Sequence, residues 1–523
     1  MPRLLFLSLI SVAMGLGVAS SARAEAVSAV QGCVSAYGDI WADDFTDVPH
    51  REIDGASIKT VSDFMRMTAT REAGLKIISG GDFSGWDFSE IPLANICFDN
   101  SKLTNTNFSH VRAHGIGFIK SDLTGSNLRG AKMPGIMFRN ANLADVVAQD
   151  ADFSGGHFDG GWFEGSVEGW NIDRANMSGF VFECGITVPD GCPVYQGGKT
   201  MSAQGTDFSD AILHSFGLYD IDLTGAILDQ TIIAPRQLPY LAQAEFRGAV
   251  ILRGSGSDVP VAADEARYLL AETAGQKAVE ERPSFDCARA GSKVEREICG
   301  EYASDLRAAD REIASLYRQA KEHDAGVRAS QRAWLKQRNL CGVAEYPSDC
   351  IRESYSARKG QLLGLLGEKQ WLVRGEAALF IDDLLPLPAA VAGTELFARI
   401  TPVLVGASMS EILIERGDDG LYSIKGSAVG ANAHLCSIYA SHLYFDKKSG
   451  WYIPVSEGAA IPIFRIWDGR LEIFADGRPD YEKYPEAGDY MSCGMRASLG
   501  ETIRINASAE LIERYRKSLN EQM

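Results

Sequence analysis

The chain has 523 residues, 46% hydrophobic and 23% charged, with a formal net charge of −18 at pH 7. That length is too great for one ordinary core, so several domains are expected. The acid excess argues against an electrostatic nucleic-acid binder, and the 53 glycines lack the every-third spacing of a collagen-like rod.

The first residues read MPRLLFLSLISVAMGLGVASSARA, with a basic Arg3, an apolar run from Leu4 to Val18 and an Ala22-Arg23-Ala24 cleavage site. This pattern predicts a secretory signal peptide over residues 1–24. Its removal takes away Arg3 and Arg23 and leaves −18 − 2 = −20. No later stretch is apolar enough for long enough to span a bilayer, so a periplasmic or secreted protein is expected. All ten cysteines fall in the exported part, where an oxidising compartment would pair them. Spacing favours Cys184–Cys192, Cys287–Cys299 and Cys341–Cys350, then the longer Cys436–Cys493, which leaves Cys33 with Cys97. No CxxC pair supports a thioredoxin-like role.

Residues 25–79 read as an N-terminal cap region, with helical spacing around Val61 to Ile78. From residue 80 to 254 a period of five takes over. Large apolar side chains stand at Phe83, Phe88, Leu93, Phe98, Leu103 and Phe108, then at Phe118, Leu123, Leu128, Met133, Phe138 and Leu143, then at Phe153, Phe158 and Phe163. Ala113 and Ala148 fill the two remaining steps. After Phe163 the register slips by one residue, with Ile172, Met177 and Phe182 in phase. The interruption ECGITVPDGC follows, and the repeat resumes at Phe208, Leu213, Leu218, Leu223, Leu228 and Ile233. A period of five fits neither an α-helix nor a strand. It fits a chain that turns a corner in each repeat, so that every large side chain meets one central axis. Small residues two places earlier, such as Ser121, Ser126 and Ala131, also point inward. Ser, Thr, Asn, Asp and Gly suit the corners, and Cys97 is expected at an outward corner. These residues resemble the pentapeptide-repeat family, whose motif is A-(D/N)-L-x-x. The resemblance implies a right-handed quadrilateral β-helix with four repeats per coil. Cytosolic members mimic DNA and bind type II topoisomerases. The leader argues against that role here, although residues 80–254 hold 20 Asp/Glu against 11 Lys/Arg.

Residues 255–282 are expected to form a linker or capping helix, from Asp264 to Glu281. Residues 283–367 then lose the period of five and adopt helical spacing through Leu306, Ile313 and Leu316, Arg328 to Leu340, and Cys350 to Leu366. A small three-helix unit stapled by cysteines is expected. Its order of SFDC, Glu295, Cys299, Asp310, QRAWLKQRNLC with Trp334 and Arg338, Cys350 and Tyr355 resembles the LprI-type lysozyme-inhibitor family. That resemblance implies an exported helical domain and, for some members, lysozyme inhibition. On the residues alone, Glu295 and Asp310 read as caps or helix pairs, and Trp334 as core.

Residues 368–508 read as β-rich, with runs ELFARITPVLV, EILIERG, LYSIKG, WYIPV, FRIWDG and RLEIFADG and Asp-Gly turns at 419–420, 468–469 and 476–477. GANAHLC and CGMRASLGE resemble the β-domain that often follows an LprI-type domain. His434 is expected within a strand and in a structural role. Residues 509–523 have the composition of a helical tail.

The whole is therefore read as multi-domain: a quadrilateral β-helix, a small disulfide-stapled α-helical domain and a C-terminal β-rich domain. HExxH, Walker, GxSxG and CxxC signatures are missing, so no catalytic, cofactor or metal residue is assigned. The reading is an exported, non-catalytic, lysozyme-inhibitor-like binding protein with a protein partner, lysozyme being the one the resemblance implies. The alternatives are an envelope scaffold without a lysozyme target and a carboxylate-based wall-polymer hydrolase.

Overall fold

Side chains spaced by five share an axis only when the backbone bends between them, and the computed structural model shows that bend. It describes Cys33, residues 50–69 and residues 74–522 apart from short stretches, the longest being 184–200. The expected leader and the Cys184–Cys192 pair lie outside the described residues.

The ladder begins before the repeat is visible in the sequence. Strands β1 (His50–Asp54), β2 (Leu75–Ser79), β3 (Ala94–Asp99) and β4 (His114–Ile119) form a parallel sheet in that order. The expectation of helical structure up to Ile78 is thus corrected. Among the described residues of that stretch only α1 (Val61–Thr68) is helical, started by a Thr60–Asp63 capping box. Ile77 and Ile78 pair instead with Cys97 and Phe98, where β-branched side chains are buried on both faces of a rung. Helix α1 does deliver a cap: Phe64 is fully buried, with ring centroids 6.4, 5.1 and 6.2 Å from Phe83, Phe88 and Phe98.

Each rung pairs with the residue twenty further on, Asp82 with Lys102 and Lys102 with Asp122, so one coil holds four pentapeptides. The slip after Phe163 is a coil shortened to nineteen, with Asp152 opposite Asn171 and His157 opposite Asn176. The interruption makes the next step thirty-one, Asn171 opposite Ser202, before twenty returns at Asp207–Ile227. The apolar column is core throughout: Phe88 stacks on Phe108 at 5.0 Å, Phe98 on Phe118 at 5.4 Å and Phe118 on Phe138 at 5.5 Å. The inward small residues answer buried backbone groups. Ser121 Oγ donates to the Phe98 carbonyl at 3.1 Å and accepts from the Ser101 N–H at 3.1 Å. Ser126 Oγ repeats this between Leu103 and Thr106, at 2.6 and 3.2 Å. Corners are turned by left-handed residues at every fifth place, among them Asn100, Asn105, His110, Lys120 and Gly125.

Cys97 is not at a corner. It lies within β3, facing away from the axis, and is covered by Cys33, Ile77 and Met137. An apolar strip on stacked rungs is left by these residues, and burying it brings Cys33 and Cys97 to a Cα separation of 5.8 Å as a disulfide. Gly117, opposite Cys97 on the next rung, makes room: a Cβ there would lie 2.9 Å from the Cys97 sulfur.

The chain divides into two compact units, one reaching Ile251 and one running from Leu252 to the C-terminus with residues 234–239 added. The second unit holds α2 (Ala263–Glu280), α3 (Lys293–Ile298), α4 (Ser304–His323), α5 (Val327–Arg338) and α6 (Pro347–Leu366). Where three helices were expected between 283 and 367, the short α3 makes four. On α4 the buried residues Leu306, Asp310, Ile313, Leu316 and Ala320 form one stripe. They pack with Val294, Ile298, Trp334, Ile351, Tyr355 and Leu362. Pro347 opens α6 and Gly367, at φ 73°, ends it.

Strands β5 (Ala377–Asp382), β6 (Ser410–Arg416), β7 (Tyr422–Val429), β8 (Leu435–Phe445), β9 (Tyr452–Pro454), β10 (Phe464–Trp467), β11 (Arg470–Ile473), β12 (Met491–Cys493) and β13 (Thr502–Arg504) follow. Eight of them close an antiparallel barrel in the order β7-β6-β5-β13-β11-β10-β9-β8, and β8 pairs back onto β7. β12 adds to β8. Alternation along β7 turns Tyr422, Ile424 and Ala428 inward to meet Ile438, Leu443 and Phe464. Two hairpins turn at Asp419-Gly420 and Asp468-Gly469, whereas Asp476-Gly477 lies outside the described residues.

One expected strand is a helix. ELFARITPVLV forms α7 (Glu395–Ala407), in spite of its β-branched residues. Thr394 Oγ1 accepts from the Phe397 N–H at 3.2 Å, which starts the helix. Phe397, Ile400, Thr401 and Leu404 then fall on one buried stripe, a pattern that outweighs strand propensity. α7 pairs with α2 through Arg399 and Glu265, so the linker helix belongs to this unit. The tail forms α8 (Ala509–Gln522).

Candidate functional site

Glu295, Asp310, Trp334, Arg338 and Tyr355 lie on four different helices and meet in one chain of contacts. Ser292 and Glu295 form the capping box of α3. Glu295 Oε2 accepts from the backbone N–H of Gly291 at 2.8 Å and of Ser292 at 2.9 Å. The Ser292 bond, above all, holds the Glu295 carboxyl below its usual range, with Arg338 at 4.0 Å adding to it. Arg338 Nη1 donates to the Tyr355 hydroxyl at 2.9 Å. That hydroxyl donates to Asp310 Oδ1 at 2.7 Å, and Asp310 Oδ2 accepts from the Ser284 N–H at 2.7 Å. The Arg338 guanidinium also lies 5.6 Å from the centre of the Trp334 ring, whose Nε1 donates to Ser354 Oγ at 3.0 Å. Burial, and then the Asp310 charge, push the Tyr355 phenol up.

Such an arrangement holds helices together. Asp310, Arg338 and Tyr355 are 6, 4 and 1% exposed, and each polar atom described here already has a protein partner. Asp310, Arg338 and Tyr355 are thus closed to solvent inside the bundle, whereas the Glu295 side chain is 30% exposed at its edge. The Cys287–Cys299 and Cys341–Cys350 disulfides brace the same bundle, with Cα separations of 5.9 and 5.4 Å. Cys436 and Cys493 are bonded between β8 and β12. His434 lies ahead of β8 and not inside it, because pairing with β7 begins only at Leu435.

A second charged cluster escaped sequence reading. Arg465, 1% exposed on β10, makes two hydrogen bonds to Glu472 on β11, at 2.8 and 2.7 Å. Lys359 on α6 reaches Glu472 at 3.0 Å and Glu312 on α4 at 2.5 Å. Arg465 sits 4.3 Å from the Trp451 ring centre, and Lys359 sits 3.9 Å from that of Trp467. Arg465 Nη1 donates to the Ser356 carbonyl at 3.2 Å, which ties bundle to barrel. The local signal was slight: an Arg and a Glu seven apart across a hairpin, and a lysine distant in sequence.

Among the described residues no group of His, Cys, Asp and Glu could hold a metal ion, and no helix is long and apolar enough to cross a membrane.

Residues 121–160 match the family model for pentapeptide repeats, in eight copies. No curated protein matches the chain. Among solved structures, one of QnrB1, a plasmid-mediated fluoroquinolone resistance protein, is 17% identical, with a TM-score of 0.15 over 29% of this chain and 82% of that one. HetL, a pentapeptide repeat protein involved in heterocyst differentiation regulation in Nostoc sp. strain PCC 7120, is 16% identical, with a TM-score of 0.15 over 36% of this chain and 91% of its own. Rfr23 from Cyanothece 51142 is 14% identical, with a TM-score of 0.10 over 35% and 82%.

Proposed function

We propose that this pentapeptide-repeat chain is an exported, non-catalytic binding protein of the lysozyme-inhibitor type, with the coil as its scaffold and the bundle-and-barrel unit as its binding part. Pentapeptide repeats are typically found in scaffold or binding proteins and not in enzymes. The observation that carries the reading is an exposed set of large side chains beside the two bundle disulfides. Tyr302 is 90% exposed, Val343 79%, Leu340 68% and Tyr346 66%. Leu340, Val343 and Tyr346 stand close together in sequence around the Cys341–Cys350 disulfide, and exposed tyrosine and aliphatic side chains of this kind suit a protein contact, because they bury much area at little entropic cost. The disulfides hold their backbone in place before binding, which lowers that cost further.

The test is a cell-wall turbidity assay with lysozyme and the purified full-length protein. Protection that is lost in a Leu340→Ser, Tyr346→Ser double variant supports the reading. No protection at large molar excess removes lysozyme as the partner, and cross-linking in the native envelope then identifies what the patch meets.

A further inference from the structure

We propose that the second unit carries a binding cleft for a chain-like polyanion, a ligand with carboxylate or phosphate groups repeated along its length. This stands apart from the lysozyme reading. The cleft has a volume of about 920 Å³ and lies between the end of α2, the following strap, α4 and the β10–β11 hairpin. Arg282, Arg311, Arg318 and Arg470 all line it, with Tyr317 and Trp467 in its walls. Four guanidiniums around one cleft are unusual in a chain of net charge −18.

The acids that face them offset this charge only in part. Glu312 is ion-paired to Lys359 at 2.5 Å. Asp468 accepts from Gln319 Nε2 at 3.3 Å and Ser315 Oγ at 3.4 Å, and is the one lining carboxylate without a cation on it among the described residues. Arg470 is held 3.5 Å from Asp383, which lies outside the lining. Arg282 and Arg318 make no ion pair among the described residues and stand exposed.

The spacing selects the ligand. Arg311 and Arg318 are seven residues apart on α4, hence on one face and roughly 10 Å apart along it. A single small anion cannot answer both, whereas an oligomer with recurring oxyanions can. Guanidinium forks are suited to carboxylate and phosphate oxygens alike. The cleft is also preorganised. Arg311 Nη1 donates to the Arg282 carbonyl at 2.6 Å, and the neighbouring Asp310 fixes the strap through the Ser284 N–H at 2.7 Å.

Isothermal titration of the full-length protein with short-chain polyphosphate, oligogalacturonate and inorganic phosphate tests this. At least one polymer should bind at low salt, about tenfold or more tighter than inorganic phosphate, and weaken as salt rises. Binding of one polymer alone identifies the oxyanion as phosphate or carboxylate. Arg318→Glu and Arg282→Glu, both exposed and checked for folding by circular dichroism, should each reduce affinity about tenfold or more. Arg129→Glu on the coil should leave it unchanged. The proposal is overturned if neither polymer binds, if both cleft variants bind as the natural protein does, or if Arg129→Glu weakens binding equally.

Discussion

The coil and the bundle-and-barrel unit solve the burial problem in opposite ways. The coil repeats one small solution. Each rung buries one large side chain, answers one carbonyl with a serine or threonine where the small position is polar, and turns on one left-handed residue. The second unit relies on a few arrangements that occur once. Arg465, Glu472 and Lys359 join β10, β11 and α6, while Asp310, Tyr355 and Arg338 join three helices. Damage should therefore stay near its site in the coil, where contacts are between neighbours, and spread through the whole second unit.

The strongest way to break this contrast is Glu472→Ala. It leaves Arg465 buried without its carboxylate and takes one of two partners from Lys359. A loss of about 3–5 kcal/mol is expected. In urea denaturation the helix-dependent circular dichroism should melt much earlier as one transition. An unchanged midpoint would mean the cluster is dispensable. Next comes Phe118→Ala, within the stack between Phe98 and Phe138. It should cost about 3 kcal/mol. Hydrogen exchange should rise mainly in the adjoining coils, and a rise spread evenly over both units would contradict the contrast.

A smaller effect, of opposite sign, is expected at a corner. Gln230 holds φ at 54° and its side chain is exposed. Gln230→Gly relieves the left-handed strain at some cost in chain entropy, so a net gain of about 0.5 kcal/mol should appear as a slightly higher melting temperature. The least effect concerns pH. The Glu295 carboxyl is held below its usual range in the fold, so it binds a proton less readily there than in the unfolded chain. Its contribution is present in full above the ordinary carboxylate range and is lost as pH falls through the folded value. The difference in urea midpoint between the natural protein and Glu295→Gln should therefore narrow in acid, and a constant difference would show that the charge is not what matters.

Much of the coil was legible because its signal is local and repeated. Phe83 to Phe163 announce the axis, and even the slip beyond Phe163 returns as a shortened coil. The first rungs were not legible, because β1 and β2 lack the phased large residues and are joined by a helix. Glu295, Asp310, Trp334, Arg338 and Tyr355 were visible as a group, but not as a closed internal network. Arg465 and Lys359 were not singled out, since nothing in their neighbouring residues reports burial.

By itself the sequence determined what depends on near neighbours: the fivefold period, the helical stripes, the hairpins at Asp419-Gly420 and Asp468-Gly469 and the short spacing of the bundle cysteines. Tertiary structure decided what depends on distant segments meeting. It closed β8 onto β7, made a helix of 395–407 by giving its apolar stripe a partner, moved Cys97 from a corner to a covered rung, and gathered four arginines around one cleft. The physical reason is that backbone preference acts over a few residues, whereas burial and charge pairing are settled only when the chain has folded back on itself.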